Sequence, residues 1–120
     1  VTDISGREIT NKDLSGRKTL VAFSSPTCGH CVELMGQVRE WESRRKPQDP
    51  QLLIFTDGDA EEEGKHGLAS AVIVDKNYKI ASRLGMRGVP SAVLINEDGV
   101  IATEAAIGPA NIWSLIGEKR

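Results

Sequence analysis

The 120-residue sequence lacks most of what would commit it to a partner class at first sight. No apolar run is long. Ala71–Val74 and Ala92–Ile95 are of strand length, far below the roughly 20 residues that cross a bilayer, so this stretch of chain is not membrane-spanning. Charge of one sign is also missing: 15 basic against 17 acidic side chains give a net charge of -2, with the signs interspersed. That removes the cationic field needed for nucleic acid, which is not an expected partner. Aromatics make up only 4% of the residues, and there are two cysteines, too few for a disulfide framework. The C-x-x-C spacing of those two closes a loop too short to restrict the unfolded chain much, so a purely stabilising bridge explains them poorly.

What is present is an alternation of strand-like and helix-like segments. Thr19–Phe23 and Gln51–Phe55 are continuous apolar runs of the kind found in strands buried on both faces. Ala71–Val74, Ser91–Ile95 and Val100–Thr103 read as further strands, the last across an Asp98–Gly99 turn. Val32, Leu34, Met35, Val38 and Trp41 recur at helical spacing from Gly29 onward, and Pro47 and Pro50 prevent continuation. Short helices are expected near Ala60, over Tyr78–Leu84 and over Pro109–Ile116, and Glu61, Glu62 and Glu63 read as a solvated helix start. Ile4–Ile9 reads as a small hairpin or edge strand, and Asn11–Lys18 as a polar loop or helical turn. The pattern predicts one α/β domain over residues 1–120, a sandwich with a mixed central sheet and helices on both faces.

Cys28-Gly29-His30-Cys31 follows a predicted buried strand and opens a predicted helix, the setting in which C-x-x-C is read as redox-active. Free N–H groups and the dipole of a helix N-terminus favour a thiolate, which makes Cys28 the attacking sulfur and Cys31, one turn later, the resolving one. His30 is the expected tuning residue, since an imidazole beside the nucleophile stabilises the reduced form and makes the disulfide more oxidising. A structural zinc site would need four ligands, and the chain offers two cysteines, His30 and His66 in an arrangement that does not converge, so no metal is assigned. His66 reads as a surface residue or dipole partner, and Asp57-Gly58-Asp59 lacks the later ligands of a calcium loop.

Leu20–Cys31 together with Gly85-Met-Arg-Gly-Val-Pro-Ser91 and Ala92–Gly99 resembles the thioredoxin superfamily, and most of all its bacterial extracytoplasmic branch of TlpA-like and redoxin-domain proteins. The interval from Cys31 to Pro90 has room for an extra αβ unit, mostly within Asp59–Val74, that plain thioredoxins lack. The resemblance implies a thioredoxin-like three-layer α/β/α sandwich with that insertion and no cofactor. It implies a cis bond between Val89 and Pro90, with the Val89 backbone pairing an extended client peptide. It further implies a monomer, exchanging electrons with protein thiols and disulfides in the periplasm or tethered facing it, supplied by an unidentified redox partner.

Departures from the family pattern are equally informative. The buried acid that plain thioredoxins carry under the cysteines is replaced by Ala22, the flanking tryptophans by Ser24 and Thr27, and the mid-helix proline by Gly36. Cys-Gly-His-Cys also matches protein disulfide isomerases, whose poise is about -180 mV against about -270 mV for thioredoxin, so an intermediate-to-oxidising potential is expected. Two other functions compete. A peroxiredoxin-like peroxidase would use Ser25 and an arginine such as Arg83 or Arg87, and a Cu(I) metallochaperone would hold the metal on the cysteines and a histidine.

Overall fold

β1 (Thr19–Ser24) is buried along its whole length and sits at the centre of a five-stranded sheet. The order is β3-β2-β1-β4-β5, with β2 at Gln51–Thr56, β3 at Ala71–Val74, β4 at Ser91–Ile95 and β5 at Ala106–Ile107. β1 runs parallel to β2 and β2 to β3, whereas β4 is antiparallel to both β1 and β5. This computed structural model describes residues 1–86 and 88–118, the side chain of Asn11 excepted. Arg87, named above as one possible peroxidase arginine, lies outside them.

Two apolar layers explain why the strands read as unbroken hydrophobic runs. Leu20, Ala22, Leu52, Ile54, Val72 and Ala92 face one core, and Val21, Phe23, Leu53, Phe55, Ile73 and Val93 face the other. Every position of β1 is therefore covered on its own side, so the period-2 alternation of a half-exposed strand never appears. The first core is closed by α2 (Gly29–Arg44) and α5 (Pro109–Ser114), whose Trp41 and Trp113 meet with ring centroids 5.8 Å apart. The second is closed by α4 (Lys79–Arg83) with Leu14 of α1 (Asn11–Leu14) packed against it, and is centred on Phe23 and Phe55. The extra unit is α3 (Ala60–Gly64) and β3, and it supplies one edge of the sheet.

Three expectations need correction. Val32 does not belong to the buried face of α2. It is 53% exposed, and Cys31 takes its place beside Leu34, Met35, Val38 and Trp41. The fifth strand is Ala106–Ile107, paired with Ser91 and Ala92, rather than Val100–Thr103. That segment makes only an Ile95–Ile101 bridge, because the Leu94 N–H donates to the Thr103 hydroxyl (3.1 Å) instead of a main-chain carbonyl. Glu63 is not solvated. It is 3% exposed, and its Oε1 accepts from the buried Thr56 hydroxyl at 2.8 Å while Oε2 lies 3.6 Å from His66 Nε2. A buried carboxylate persists only with such partners.

Candidate active site

β1 ends at Ser24 in the middle of the sheet, and a tight turn then carries the chain into α2. Ser25 Oγ lies 3.1 Å from Thr27 Oγ1 and accepts from the Thr27 N–H at 3.4 Å, while the Cys28 N–H donates to the Ser25 carbonyl at 3.3 Å. Cys28 then occupies the N-cap of α2 in an extended conformation (φ -98, ψ 121). Its Sγ accepts the Cys31 N–H at 3.3 Å. A sulfur thus does what Ser or Asp does at most N-caps, and a negative charge there is met by a main-chain donor and the positive end of the helix.

The two sulfurs differ sharply in environment. Cys28 is half-buried, and Cys31 is 0% exposed on the inner face of the first turn. Burial pushes the Cys31 thiol up to about 11, with the neighbouring Cys28 adding to the effect, while the Ser25 N–H and the Ser24 hydroxyl pull the other way. The folded state therefore holds that proton more tightly than the unfolded one. Its stabilising effect is complete below the ordinary thiol value and lost as pH rises through the folded one. Reduced Cys28→Ser protein should lose extra stability between about pH 9 and pH 11 relative to Cys28→Ser/Cys31→Ser, as read by denaturant melts. Equal melts across that range would show that Cys31 is not desolvated.

Opposite the cysteines, the Val89–Pro90 peptide is cis. Pro90 is buried, Val89 is half-buried, and the Val89 carbonyl lies 3.8 Å from Cys28 Sγ. The loop is tied down by the Ser91 hydroxyl donating to the Gly88 carbonyl at 2.7 Å and the Gly108 N–H donating to the Pro90 carbonyl at 3.0 Å. Gly29 lies in the first turn of α2, and a Cβ there would meet nothing within 4 Å. His30 points outward: its side chain is 79% exposed and Nδ1 lies 3.4 Å from Glu33 Oε2. The imidazole thus pairs with Glu33 rather than with the Cys28 sulfur.

Residues that the sequence did not flag surround the same loop. A Cβ on Gly58 would lie 2.7 Å from Glu63 Oε1 and 2.9 Å from Pro26 Cγ, so only glycine lets the loop after β2 pack against the cysteine turn. From the other side Tyr78 donates its hydroxyl to the Ser24 carbonyl at 2.9 Å. Tyr78 is left-handed (φ 53, ψ 40) and so is Asn77 (φ 59, ψ 17); asparagine tolerates this region, whereas for the tyrosine it costs about 1 kcal/mol or more. Asp75 holds the turn by accepting from the N–H groups of Ile80 and Ala81. Asn77 is a residue type that enters this region readily, but nothing local announces that Tyr78 follows it there.

Arg83 is exposed at the end of α4, and no hydrogen bond or ion pair among the described residues joins it to the cysteines. No group of three His, Cys, Asp or Glu side chains among those residues could hold a metal ion. A hollow of about 620 Å³ lined by Arg17, Lys18, Pro50, Leu94 and Glu97 lies at the opposite end of β1, away from the cysteines. No helix among the described residues is long and apolar enough to cross a membrane.

A central strand that delivers C-x-x-C to a helix start, with a cis-proline loop facing the first sulfur, defines the thioredoxin fold. Residues 7–118 match the family model described as a thioredoxin-like domain, and the chain belongs to that family. It is 28% identical over 112 residues to the thiol-disulfide oxidoreductase ResA of Bacillus thuringiensis, an alignment covering 87% of this chain and 63% of that protein. The chain therefore spans less than two thirds of the length of such relatives. Its fold is shared with a thiol-disulfide isomerase from Corynebacterium glutamicum (TM-score 0.76, 18% identity, 99% of this chain and 93% of that one). It is shared also with a secreted disulfide oxidoreductase of Mycobacterium tuberculosis (TM-score 0.72, 19% identity, 97% and 90%).

Proposed function

We propose that this chain is a thiol-disulfide oxidoreductase that exchanges electrons with protein thiols and disulfides through Cys28 and Cys31. The observation that carries the reading is the asymmetry of the pair: a half-buried sulfur at a helix N-cap and a fully buried one a turn behind it. Cys28 attacks, because a client sulfur can reach it and the Cys31 N–H already points at it. Cys31 then resolves the mixed disulfide from within. Val89 and Pro90 are the client-facing elements, offering main-chain groups across from Cys28 to an extended peptide. Residues 1–120 act as one unit and as a monomer, outside the cytoplasm, with electrons supplied or removed by a separate redox protein. The names of its relatives support the chemistry, and the secreted Mycobacterium tuberculosis neighbour supports the compartment.

The test is the equilibrium potential of the Cys28–Cys31 pair against glutathione, read by mass shift after thiol alkylation. A value between about -180 and -270 mV is expected. A value at or below the lower figure would remove the argument for an oxidising poise, and failure to form the disulfide at all would defeat the reading. His30→Ala should lower the potential by less than about 30 mV, because an imidazole so exposed and paired with Glu33 acts on the sulfur only through screened charge. A larger shift would mean that His30 turns inward to bond the thiolate.

A further inference from the structure

Gly58 stands apart from the other glycines of the chain. Of the 12, it is the one at which a Cβ would meet any described atom within 4 Å. The atoms met would be Glu63 Oε1 at 2.7 Å and the Pro26 ring at 2.9 and 3.1 Å. Its φ is not positive, so glycine is needed there for space and not for conformation. The loop after β2 is thus pressed against the turn that leads to Cys28.

The loop is held there by a carboxylate. Glu63, in α3 of the extra unit, is 3% exposed, and its Oε1 accepts the Thr56 hydroxyl at 2.8 Å. With its proton committed to Glu63, the Thr56 oxygen presents its lone pairs to the Gly58 N–H, which donates to it at 3.0 Å. Glu63 Oε2 lies 3.6 Å from His66 Nε2, so both carboxylate oxygens are partnered. A buried acid costs stability unless held in this way, and the exchange of electrons between Cys28 and Cys31 makes no direct call on it.

Pro26, on the other side of the contact, is a corner. The Cys28 N–H donates to the Ser25 carbonyl at 3.3 Å, which makes Ser25–Cys28 a β-turn with proline at its second position, where the fixed φ suits it. That turn sets Cys28 at the N-cap of α2, with its sulfur 3.3 Å from the Cys31 nitrogen. A shift of Pro26 therefore moves the sulfur relative to the main-chain donor that supports its charge.

We propose that Glu63, acting through the Thr56 hydroxyl and Gly58, braces Pro26 and so positions the Cys28 sulfur against the Cys31 N–H. The extra αβ unit is then part of what sets the reactivity of the nucleophile. Glu63, Thr56 and Gly58 are positioning residues that act through Pro26. The proposal rests on the oxidoreductase reading above and names what tunes its attacking thiol.

The experiment is the alkylation of Cys28 by iodoacetamide in the reduced full chain, followed across pH by intact mass and peptide mapping. The charged groups around the brace are His66 beside Glu63, Asp59 at the N-cap of α3, and the Lys76 ammonium on the Asp57 carbonyl, and the variants leave all of them in place. Thr56→Val keeps the shape of the side chain and removes the hydroxyl. It is expected to slow alkylation near neutral pH about five- to tenfold and to move the midpoint of the profile upward, the effect of loosening one hydrogen bond to a charged sulfur. Thr56→Ser should restore both, and Glu63→Ala should shift the profile as Thr56→Val does. Gly58→Ala inserts the Cβ without removing a hydrogen-bonding group; it should act in the same direction, and it decides the question if Thr56→Val does not fold. Val72→Ala thins the core beneath the same unit and should lower the thermal midpoint while leaving the profile where it was. An unmoved profile in folded Thr56→Val, or in Gly58→Ala, would overturn the brace, and one in Glu63→Ala would overturn the part given to the carboxylate. An equal shift in Val72→Ala would overturn the proposal too, by making the effect one of general loosening. A wild-type chain whose Cys28 alkylates yet exchanges no disulfide with oxidised glutathione would sink the oxidoreductase reading, and the proposal with it, a failure read in an assay separate from the pH profiles.

Discussion

Cys31→Ser should convert the protein from a turnover catalyst into a covalent trap, holding close to one client per chain as a mixed disulfide on Cys28. The reason is the placement of the second thiol. Cys31 lies one helical turn behind Cys28, with its N–H already bonded to the Cys28 sulfur at 3.3 Å, so its attack on the mixed disulfide is intramolecular. Well-oriented reactions of that type enjoy effective concentrations on the order of 10⁵ M or more, which no external thiol matches. Turnover of a disulfide-bonded peptide without added small thiol should therefore fall by at least about a thousandfold in Cys31→Ser, with adduct visible by intact mass. Cys28→Ser should lose turnover equally and form no adduct, because the remaining thiol is fully buried. Retained turnover in Cys31→Ser would mean that Cys28 works alone, and an adduct in Cys28→Ser would reverse the assigned roles.

The largest stability effect is expected at Trp41. Its ring is 2% exposed, stands 5.8 Å from that of Trp113, and carries the Arg45 guanidinium 5.0 Å above its centroid. Trp113 in turn donates its indole N–H to Gln37 Oε1 at 2.7 Å, so the pair staples α5 onto α2. Trp41→Ala removes the larger part of that contact and leaves a void that helices fixed at both ends cannot close. A loss of about 3–5 kcal/mol is expected, lowering the thermal midpoint by on the order of 10–20 °C. Guanidinium unfolding checks it. A loss under about 1 kcal/mol would show that the α2–α5 interface repacks around the gap.

The parts of this molecule that were legible in the sequence are those where one physical requirement acts alone. β1 and β2 must be apolar on both faces, and Thr19–Phe23 and Gln51–Phe55 say so without ambiguity. The cysteine pair was legible because its spacing and its strand-to-helix setting are both local. What failed involved groups that meet only in three dimensions. Val32 follows the apolar stripe in spacing, yet α2 begins at the rim of the sheet and turns that side chain to solvent. Glu63 sits in an acidic run that looks solvated, and only the folding of β2 beside α3 brings the Thr56 hydroxyl to it. The Val100–Thr103 segment alternates like a strand, but its threonine side chain captures the Leu94 N–H. Tyr78 carries no local sign that its backbone is left-handed, and hence none that its hydroxyl reaches the cysteine turn.

The position of β1 between β2 and β4 also sets the order in which the site can come together as the chain folds. Cys28 and Cys31 are near neighbours in sequence, but Val89 is 61 positions from Cys28 and arrives only when β4 docks antiparallel on β1. Closing a loop of that length carries an entropic penalty that must be met before any of the β1–β4 contacts reward it. During synthesis from the N-terminus, β1, α2, β2 and β3 therefore emerge while the two thiols still lack the loop that faces them. Until β4 joins, Cys28 lacks the Val89 carbonyl that lies 3.8 Å from its sulfur in the folded protein. The same topology thus makes the site a composite of distant segments, complete only once β4 has docked on β1.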